Sequence, residues 1–413
     1  MASLIITNVK VLAGIGHSPL PKRGKELAIL DSMENAYVIV EDGFISSYGS
    51  MDTLKHDPAS FTSAIDAKDQ TILPAWCDSH THLVFATTRE EEFVDKIKGA
   101  SYAEIAAKGG GILNSARKLN DAPEDELFNS AWSRLQSLIK LGTGAIEIKS
   151  GYGLSVDGEL KMLRVIKKLK ERSPIPVRAT FLGAHTFPVE YRDNHEGYIR
   201  LIIDEMLPVV AADNLADYVD VFCEKGFFST EETTKIVQAA MSYGLKPKLH
   251  VNQLNSIGGV EAGAKLGAKS LDHLEVMTDA DVEILKRSST IGTLLPTAAF
   301  FLRMNFQPAR TLIDNGCAIA LASDYNPGSS PSGNMNFVVS LSCIQMKLLP
   351  EEAINAATIN GAFAMDIEKE VGSIEVGKKA NMIFYRNIPS ISYIPYSFGT
   401  NLIDKVMIAG KIF

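Results

Sequence analysis

The sequence of 413 residues predicts an α/β protein, a TIM-like (β/α)8 barrel with a small β-sandwich domain formed by the N- and C-terminal segments. Three observations predict it. Eight apolar, strand-like stretches recur through the middle of the chain, helical patterns lie between them, and both ends contain short strands with turn residues. Because chain ends often lie close together, we expect residues 1–70 and 368–413 to form the sandwich and residues 71–367 the barrel.

The terminal segments contain the sandwich strands. At the N-terminal side we predict strands over residues 4–12, 37–40 and 44–48, and Asp42-Gly43 supplies the turn of a hairpin between the last two. At the C-terminal side, residues 381–385 and 405–411 carry similar strand and turn signals.

The middle of the chain alternates strands with helices. Helical spacing is clearest at Met162, Val165 and Leu169, and a capping box of Ser229 with Glu232 begins another helix. The eight predicted barrel strands cover residues 72–78, 145–149, 177–182, 218–223, 245–251, 270–274, 290–295 and 318–322.

A doubly wound sheet is the alternative architecture. It would place a glycine-rich phosphate loop after the first strand, where this chain has residues 78–82 instead. The glycines at 109–111 follow a helical stretch, which favours a loop or hinge over a nucleotide site.

Composition limits the partners. Apolar residues make up 46% and charged residues 22% of the chain, as in ordinary globular proteins. A net charge of −8 argues against nucleic acid, so a small anionic substrate would need a local cation. We see no signal peptide and no apolar run of membrane length, and expect a soluble, cytoplasmic protein without a membrane partner.

The four cysteines have no Cys-x-x-Cys spacing. We therefore expect buried thiols in a reducing compartment, neither disulfides nor zinc ligands, at positions Cys77, Cys223, Cys317 and Cys343.

The ends of the predicted barrel strands carry the reactive side chains, and in such barrels the active site lies there. His80 and His82 follow the first strand and share one face, because side chains two apart in a strand point the same way. Five of the eight histidines lie at strand ends, and Asp324 follows the eighth strand. This concentration predicts a metal site. The remaining three, His17, His56 and His195, have polar surroundings typical of the surface.

Each of these residues also has an ordinary interpretation. An isolated strand histidine is more often a hydrogen-bonded core residue, and Asp324 is also typical of a turn before Pro327-Gly328. Arg89 fits a solvated helix face, and Tyr152 fits a loop cover. Only their joint position at one end of one barrel favours a functional site.

The same residues carry a family resemblance. A His-x-His after the first strand, histidines after the fifth and sixth and an aspartate after the eighth resemble the amidohydrolase superfamily. Within it the chain resembles the imidazolonepropionase family of histidine degradation, through residues 80–86 with Arg89, 108–112, 147–153, 184–185 and 323–328.

The resemblance implies a site for one ion, Zn²⁺ or Fe³⁺, in a homodimeric enzyme. The metal ligands that it implies are His80, His82, His250 and Asp324. The catalytic residues are Asp324, His273 and Gln253. The substrate contacts are Arg89, Tyr152, His185, Gln253, Asn326, Gly328 and Ser329. The fourth strand ends in Glu224 where a bridging carbamylated lysine would require Lys, which favours one metal over two.

One position departs from the pattern. Many members have Glu three residues after the fifth-strand histidine, where this chain has Gln253, and an amide can only hydrogen-bond. We therefore expect Asp324 and His273 to handle the protons, and Arg89 with Tyr152 to bind the substrate carboxylate.

The implied reaction is hydrolysis of 4-imidazolone-5-propanoate to N-formimidoyl-L-glutamate. Two alternatives stay open. A deaminase of a purine- or pyrimidine-like ring would use a similar metal site and release ammonia, although Gln253 counts against it. A scaffold without catalytic activity would keep the barrel and bind no metal.

Overall fold

The structure is a computed structural model, and it describes residues 3–99 and 110–413. Residues 108 and 109 of the 108–112 signature lie outside the described residues. Within these ranges the strands are β1 (Ser3–Ala13), β2 (Ser32–Glu41), β3 (Phe44–Ser50), β4 (Ser63–Asp66), β5 (Gln70–Pro74), β6 (Trp76–Asp78), β7 (Thr143–Lys149), β8 (Val177–Ala184), β9 (Tyr218–Cys223), β10 (Lys246–Val251), β11 (Ser270–His273), β12 (Ile291–Leu294), β13 (Ile319–Leu321), β14 (Met382–Arg386), β15 (Ile403–Ile408) and β16 (Lys411–Ile412).

Helices cover most of the connections between the middle strands. They are α1 (Glu90–Ile97), α2 (Ile112–Asp121), α3 (Glu124–Lys140), α4 (Val156–Arg172), α5 (His195–Arg200), α6 (Leu207–Ala212), α7 (Thr230–Ser242), α8 (Gly259–Lys265), α9 (Asp279–Arg287), α10 (Pro296–Leu302), α11 (Ala309–Asp314), α12 (Met335–Met346), α13 (Pro350–Ala357), α14 (Ile359–Ala364) and α15 (Tyr393–Tyr396). A π-helical turn, Leu201–Met206, joins α5 to α6, and short 3₁₀ turns cover Gly24–Ala28, Met51–Thr53, Pro58–Ser60 and Val189–Tyr191.

Strands β6 to β13 form the barrel, and each pairs in parallel with the next. The first and last strands approach just beyond their ends, where Thr81 bridges Tyr325 and the His82 N–H donates to the Tyr325 carbonyl at 2.9 Å. This nearly closed ring confirms the predicted barrel, and it brings the residues after β6 beside those after β13.

The terminal segments form a separate eight-stranded sheet in the order β16-β15-β14-β5-β1-β2-β3, and β4 pairs with β1. Most pairs are antiparallel, while β4 and β5 run parallel to β1. Its buried core is apolar and includes Leu12, Val38, Ile72, Met382 and Phe384. The sheet confirms the predicted union of the two ends, and the predicted domain limits stay a prediction.

The prediction of one barrel strand over residues 72–78 was wrong. The chain changes sheets at Ala75: β5 pairs with β1 and β14 of the terminal sheet, while β6 begins the barrel. The Ala75 N–H donates to the Asn381 carbonyl at 2.9 Å and the Trp76 N–H to the Gly142 carbonyl at 2.9 Å. Pro74 marks this position in the sequence, because a proline has no N–H to donate to a strand ladder, and the prediction of one continuous strand overlooked it.

Local signals behaved as predicted at several points. The capping box of Ser229 and Glu232 begins α7, and the hairpin turn has φ 49° at Asp42 and φ 88° at Gly43. All four cysteines are free thiols, although Cys343 is only half-buried. Within the described residues, no helix has the length and apolar character of a membrane span.

Candidate metal centre and substrate site

His80 and His82 are held by bonds that fix the chain after β6. The Asp78 carboxylate accepts the Ser323 N–H at 2.9 Å and the Ser323 hydroxyl at 2.6 Å. The Thr81 hydroxyl turns outward and donates to the Glu147 carbonyl at 2.6 Å. The rings of His80 and His82, on either side of Thr81, lie close together, with centroids 5.3 Å apart.

His250 joins them from the end of β10. One ligand atom of each of His80, His82 and His250 lies within 4.8 Å of the others, and all three side chains are buried. Asp324 Oδ1 lies 3.5 Å from His80 Nε2 and 3.6 Å from His82 Nε2. Three predicted ligands therefore converge, and the carboxylate of the fourth, Asp324, lies beside two of them.

Asp324 is itself fixed by the closure of the barrel. Its N–H donates to the His80 carbonyl at 3.0 Å, and its φ of 51° lies in the left-handed region. Asp adopts this region more readily than most residues, and here it turns the carboxylate toward the histidines. Burial raises the pKa of Asp324 to about 6.

The site has the donor chemistry that a metal cation requires. The Nε2 atoms of His80 and His250 are buried without a hydrogen-bond partner among the described residues. Burial holds the pKa values of His80 and His82 well below their usual range, which favours neutral imidazoles with free lone pairs. Unpartnered buried nitrogens are costly, and a bound cation would satisfy them.

Two aspartates hold the far side of the imidazoles. Asp272 Oδ2 lies 2.6 Å from His80 Nδ1. Asp220 Oδ2 lies 2.9 Å from His250 Nδ1, and Asp220 Oδ1 accepts the His250 N–H at 3.0 Å. Such carboxylate contacts fix the ring orientation and leave Nε2 free to face a metal.

These aspartates belong to a charged network that fills the barrel below the histidines. Its members are fully buried, and they are Glu147, Lys149, Asp220, Lys248 and Asp272. Three carboxylates and two ammonium groups leave one net negative charge, and Asp324 lies above them. A cation at the histidines would offset this charge.

His273 faces the same space from the end of β11. The backbone is left-handed at His273, φ 86°, and at Leu274, φ 66°. His273 Nδ1 lies 3.4 Å from Glu275 Oε1, which also accepts the Gln307 side-chain amide at 2.9 Å. Although burial lowers it, the Glu275 charge and hydrogen bond raise the pKa of His273 above its ordinary value.

Arg89 lies at the rim of the site, at the start of α1. Its Nε donates to the Ser115 hydroxyl at 2.8 Å, while Nη2 is buried and has no hydrogen-bond partner among the described residues. Its guanidinium carbon lies 6.0 Å from the centre of the Tyr152 ring. The side chain is thus anchored at one nitrogen and free at another.

Tyr152 and His185 line the wall between Arg89 and the metal ligands. The His185 ring stacks on His82 with centroids 5.4 Å apart, and Tyr152 lies 5.8 Å from His82. His185 Nδ1 lies 3.0 Å from the Gly151 carbonyl oxygen. Gly151 has a φ of 110°, and a Cβ there would approach His185 Nδ1 to 2.8 Å, so this close approach requires glycine.

The loop after β13 brings the other predicted contacts to the rim. The Asn326 amide bonds within the loop, to the Asp324 carbonyl at 2.6 Å, the Ser329 hydroxyl at 2.7 Å and the Gly328 N–H at 2.8 Å. The Ser329 hydroxyl donates to Asp324 Oδ2 at 3.2 Å. Gly328 leaves room for Arg89, whose Nη1 would lie 2.4 Å from a Cβ there. Asn326 therefore shapes the loop, and its predicted substrate contact stays a prediction.

Gln253 is half-buried in the loop after β10. That loop is tied down by Glu224, which is buried and accepts the Leu254 N–H at 2.9 Å and the Asn255 N–H at 3.2 Å. Glu224 thus has a structural role that its position alone did not predict. The role of Gln253 in catalysis stays a prediction.

Comparison with known proteins identifies the relatives of the chain. The model of the amidohydrolase family matches residues 71–413. A protein of Flavobacterium johnsoniae named imidazolonepropionase is 55% identical over 409 residues, covering 99% of both chains. Proteins with the same name from Christiangramia forsetii and Clostridium tetani are 52% identical, over 99% of this chain and 100% of that one, and 44% identical, over 95% and 93%.

The chain belongs to the imidazolonepropionase family of amidohydrolases. The predicted membership is confirmed by these relatives. Solved structures show the amidohydrolase fold at much lower identity. The guanine deaminase of E. coli has a TM-score of 0.75 at 13% identity and covers 100% of this chain and 99% of its own. A triazine hydrolase variant has a TM-score of 0.74 at 13% identity, covering 100% and 94%.

Sequence reasoning on this amidohydrolase missed the residues that support the ligands. A signal for them exists, because the apolar barrel strands contain charged residues. Glu147 and Lys149 stand two positions apart in β7, Asp220 lies in β9, Lys248 in β10 and Asp272 in β11. Charges on one face of a buried strand must be paired inside the barrel.

The prediction of His195 as a surface residue was incomplete. The side chain is half-buried and stacks on Phe187 with centroids 3.6 Å apart.

Proposed function

We propose that this chain is a metal-dependent hydrolase that opens the ring of 4-imidazolone-5-propanoate with water to give N-formimidoyl-L-glutamate, in histidine degradation. The observation that carries the proposal is the convergence of three buried histidines and Asp324, in a chain 55% identical to a relative named imidazolonepropionase. Neither the scaffold nor the deaminase alternative is favoured by an observation of its own.

The metal is one ion, Zn²⁺ or Fe³⁺, and His80, His82, His250 and Asp324 would hold it. A bound ion of this kind lowers the pKa of water to roughly 7 and polarises a carbonyl oxygen as a Lewis acid. The unpartnered Nε2 atoms of His80 and His250 and the net negative charge beneath them support this assignment.

Arg89 binds the propionate group of the substrate. In a chain of net charge −8, an anion needs such a local cation, and the free Nη2 of Arg89 can form a charge-assisted hydrogen bond with a carboxylate. Tyr152 and His185 line the wall between this cation and the histidines, which supports a role in orienting the ring.

Asp324 and His273 move the protons. Asp324 accepts a proton from the attacking water and delivers it to the leaving ring nitrogen. His273, held in place by Glu275 and Gln307, donates a hydrogen bond to the developing oxyanion. Gln253 contributes hydrogen bonds to the substrate ring. The Glu275 carboxylate beside His273 supports this division of labour, because it supplies a charge that Gln253 cannot.

The proposal includes a homodimer in the cytoplasm, as the family resemblance implies. Light scattering coupled to size-exclusion chromatography measures the oligomeric state. Fractionation of the native cells tests the cytoplasmic location.

An assay on freshly prepared imidazolone propionate tests the function. Loss of the ring's ultraviolet absorbance, stopped by a chelator and restored by Zn²⁺ or by iron, is the expected result. Release of free ammonia at the rate of ring loss would favour the deaminase instead. Purified protein without metal and without activity, even after metal is added, would favour the scaffold.

A further inference from the structure

Lys149 occupies a central position in the charged network of the barrel. It is fully buried at the end of β7, and its ammonium nitrogen lies 2.8 Å from Glu147 Oε1. It also lies 2.7 Å from Asp220 Oδ2 and 3.3 Å from Asp272 Oδ2. One cation therefore contacts three carboxylates that come from three different strands.

The two aspartate oxygens that Lys149 contacts are the same atoms that contact the imidazoles. Asp220 Oδ2 lies 2.9 Å from His250 Nδ1, and Asp272 Oδ2 lies 2.6 Å from His80 Nδ1. An imidazole that donates from Nδ1 keeps the lone pair on Nε2, and its ring can no longer rotate. A single aspartate oxygen therefore connects Lys149 to each of two histidines, His250 in β10 and His80 after β6.

We infer that Lys149 is a positioning residue for the metal, which sets metal affinity by holding Asp220 against His250 and Asp272 against His80. The inference rests on the proposed metal site. Without the ammonium group, the two buried carboxylates would repel each other, and each would lose the ion pair at the oxygen that contacts the imidazole. Besides the imidazole, only a hydrogen bond at the other oxygen would hold each carboxylate, from the His250 N–H to Asp220 and from the Ser270 hydroxyl to Asp272. Two of the three histidine ligands would then lose their orientation together.

Lys248 provides a matched control within the same network. It is equally buried, and its ammonium group also bonds to Glu147, through Oε2. Its other partner is the Ser79 carbonyl, at 3.3 Å. Among the described residues it forms no ion pair with Asp220 or Asp272. A Lys248→Met variant therefore loses the same charge from the same network without removing an ion-pair contact of either aspartate.

The test compares Zn²⁺ affinity in the parent protein, Lys149→Met and Lys248→Met, by competition with a chromogenic chelator. Loss of an outer partner of a metal ligand typically weakens metal binding about 10- to 100-fold. We expect a loss of this size in Lys149→Met. Lys248→Met should bind Zn²⁺ at least about tenfold more tightly than Lys149→Met does. Equal affinities in the two variants would overturn the inference while leaving the metal site in place.

A second variant guards against misfolding. Lys149→Gln keeps a hydrogen-bond donor but removes the charge, and circular dichroism establishes whether it folds. With Co²⁺ as probe, a changed visible absorption spectrum in this variant, and a parent-like spectrum in Lys248→Gln, is the expected result. An unchanged spectrum and unchanged affinity in Lys149→Gln would refute the inference. A parent protein that binds neither Zn²⁺ nor Co²⁺ would overturn the proposed function itself.

Discussion

The barrel interior and the terminal sheet bury their side chains equally well, but with opposite chemistry. The terminal sheet packs apolar residues such as Ile72, Met382 and Phe384, none of them exposed. The barrel buries Glu147 and Lys248 in its centre, also unexposed. A buried ion pair rarely stabilises more than an apolar replacement would. The barrel therefore gives up stability that the sheet retains, and gains fixed imidazoles at its mouth.

The largest expected effect comes from removing a proposed metal ligand of the barrel. For His250→Ala we expect loss of the metal and a fall in activity of at least about 1000-fold, since water is no longer activated. Metal analysis and the ring-absorbance assay measure both. Because the Asp220 carboxylate would remain paired with Lys149, the fold should persist. A variant that keeps its metal would exclude His250 as a ligand.

The second largest effect concerns the charged network itself. Glu147→Gln leaves Lys149 and Lys248 without their shared carboxylate, and we expect a loss of about 3–5 kcal/mol in the free energy of unfolding. Urea denaturation measures it. Thr180→Val is the control, because it removes one 2.7 Å hydrogen bond to the Glu147 carboxylate and leaves the charge in place, and it should cost about 1.5–3 kcal/mol. Equal losses in the two variants would contradict the assignment of Glu147 to a charge role.

An apolar substitution in the terminal sheet should destabilise the protein nearly as much, but it should leave metal binding unchanged. Phe384 is fully buried, and Phe384→Ala should lower the free energy of unfolding by about 3–4 kcal/mol. The Zn²⁺ affinity of the folded variant should equal that of the parent. A weaker affinity would mean that the sheet contributes to the metal site.

At the barrel mouth, the role that we propose for Arg89 is to bind the substrate and not the metal. Arg89→Ala should lower kcat/KM by roughly 10- to 100-fold, mainly through KM, because charged hydrogen bonds contribute about 1.5–3 kcal/mol. Lys118→Ala is the control, since this exposed lysine and Arg89 both line a cavity of about 480 Å³. Metal content should be unchanged in both. Unchanged kinetics in Arg89→Ala would remove the residue from the site.

The smallest expected effect concerns an ion pair at the protein surface. Lys265 lies 2.6 Å from Glu261 on α8, but the side chains are 74% and 55% exposed. For Lys265→Ala we expect a change of less than about 0.5 kcal/mol in the free energy of unfolding. A loss above about 1 kcal/mol would show that burial is not what distinguishes the interior pairs.

The sequence allowed prediction of the barrel strands and the convergence of the histidines, because both follow from local periodicity and from where strands end. The change of sheets at Ala75 was missed because the apolar run was taken as one strand, although Pro74 within it argues against a continuous strand. The roles of Asp220 and Lys149 were missed for a different reason. Which charge meets which across a barrel depends on the register of strands far apart in the chain, and no local pattern encodes it.

The change of sheets between β5 and β6 also has a consequence for synthesis of the chain. The edge of β5 that pairs with β14 has no partner until residues 382–386 have left the ribosome. Until then this edge of β5 presents open N–H and carbonyl groups, to which other nascent chains can add. This order of strands therefore leaves the edge of β5 open until the C-terminal segment joins the sheet.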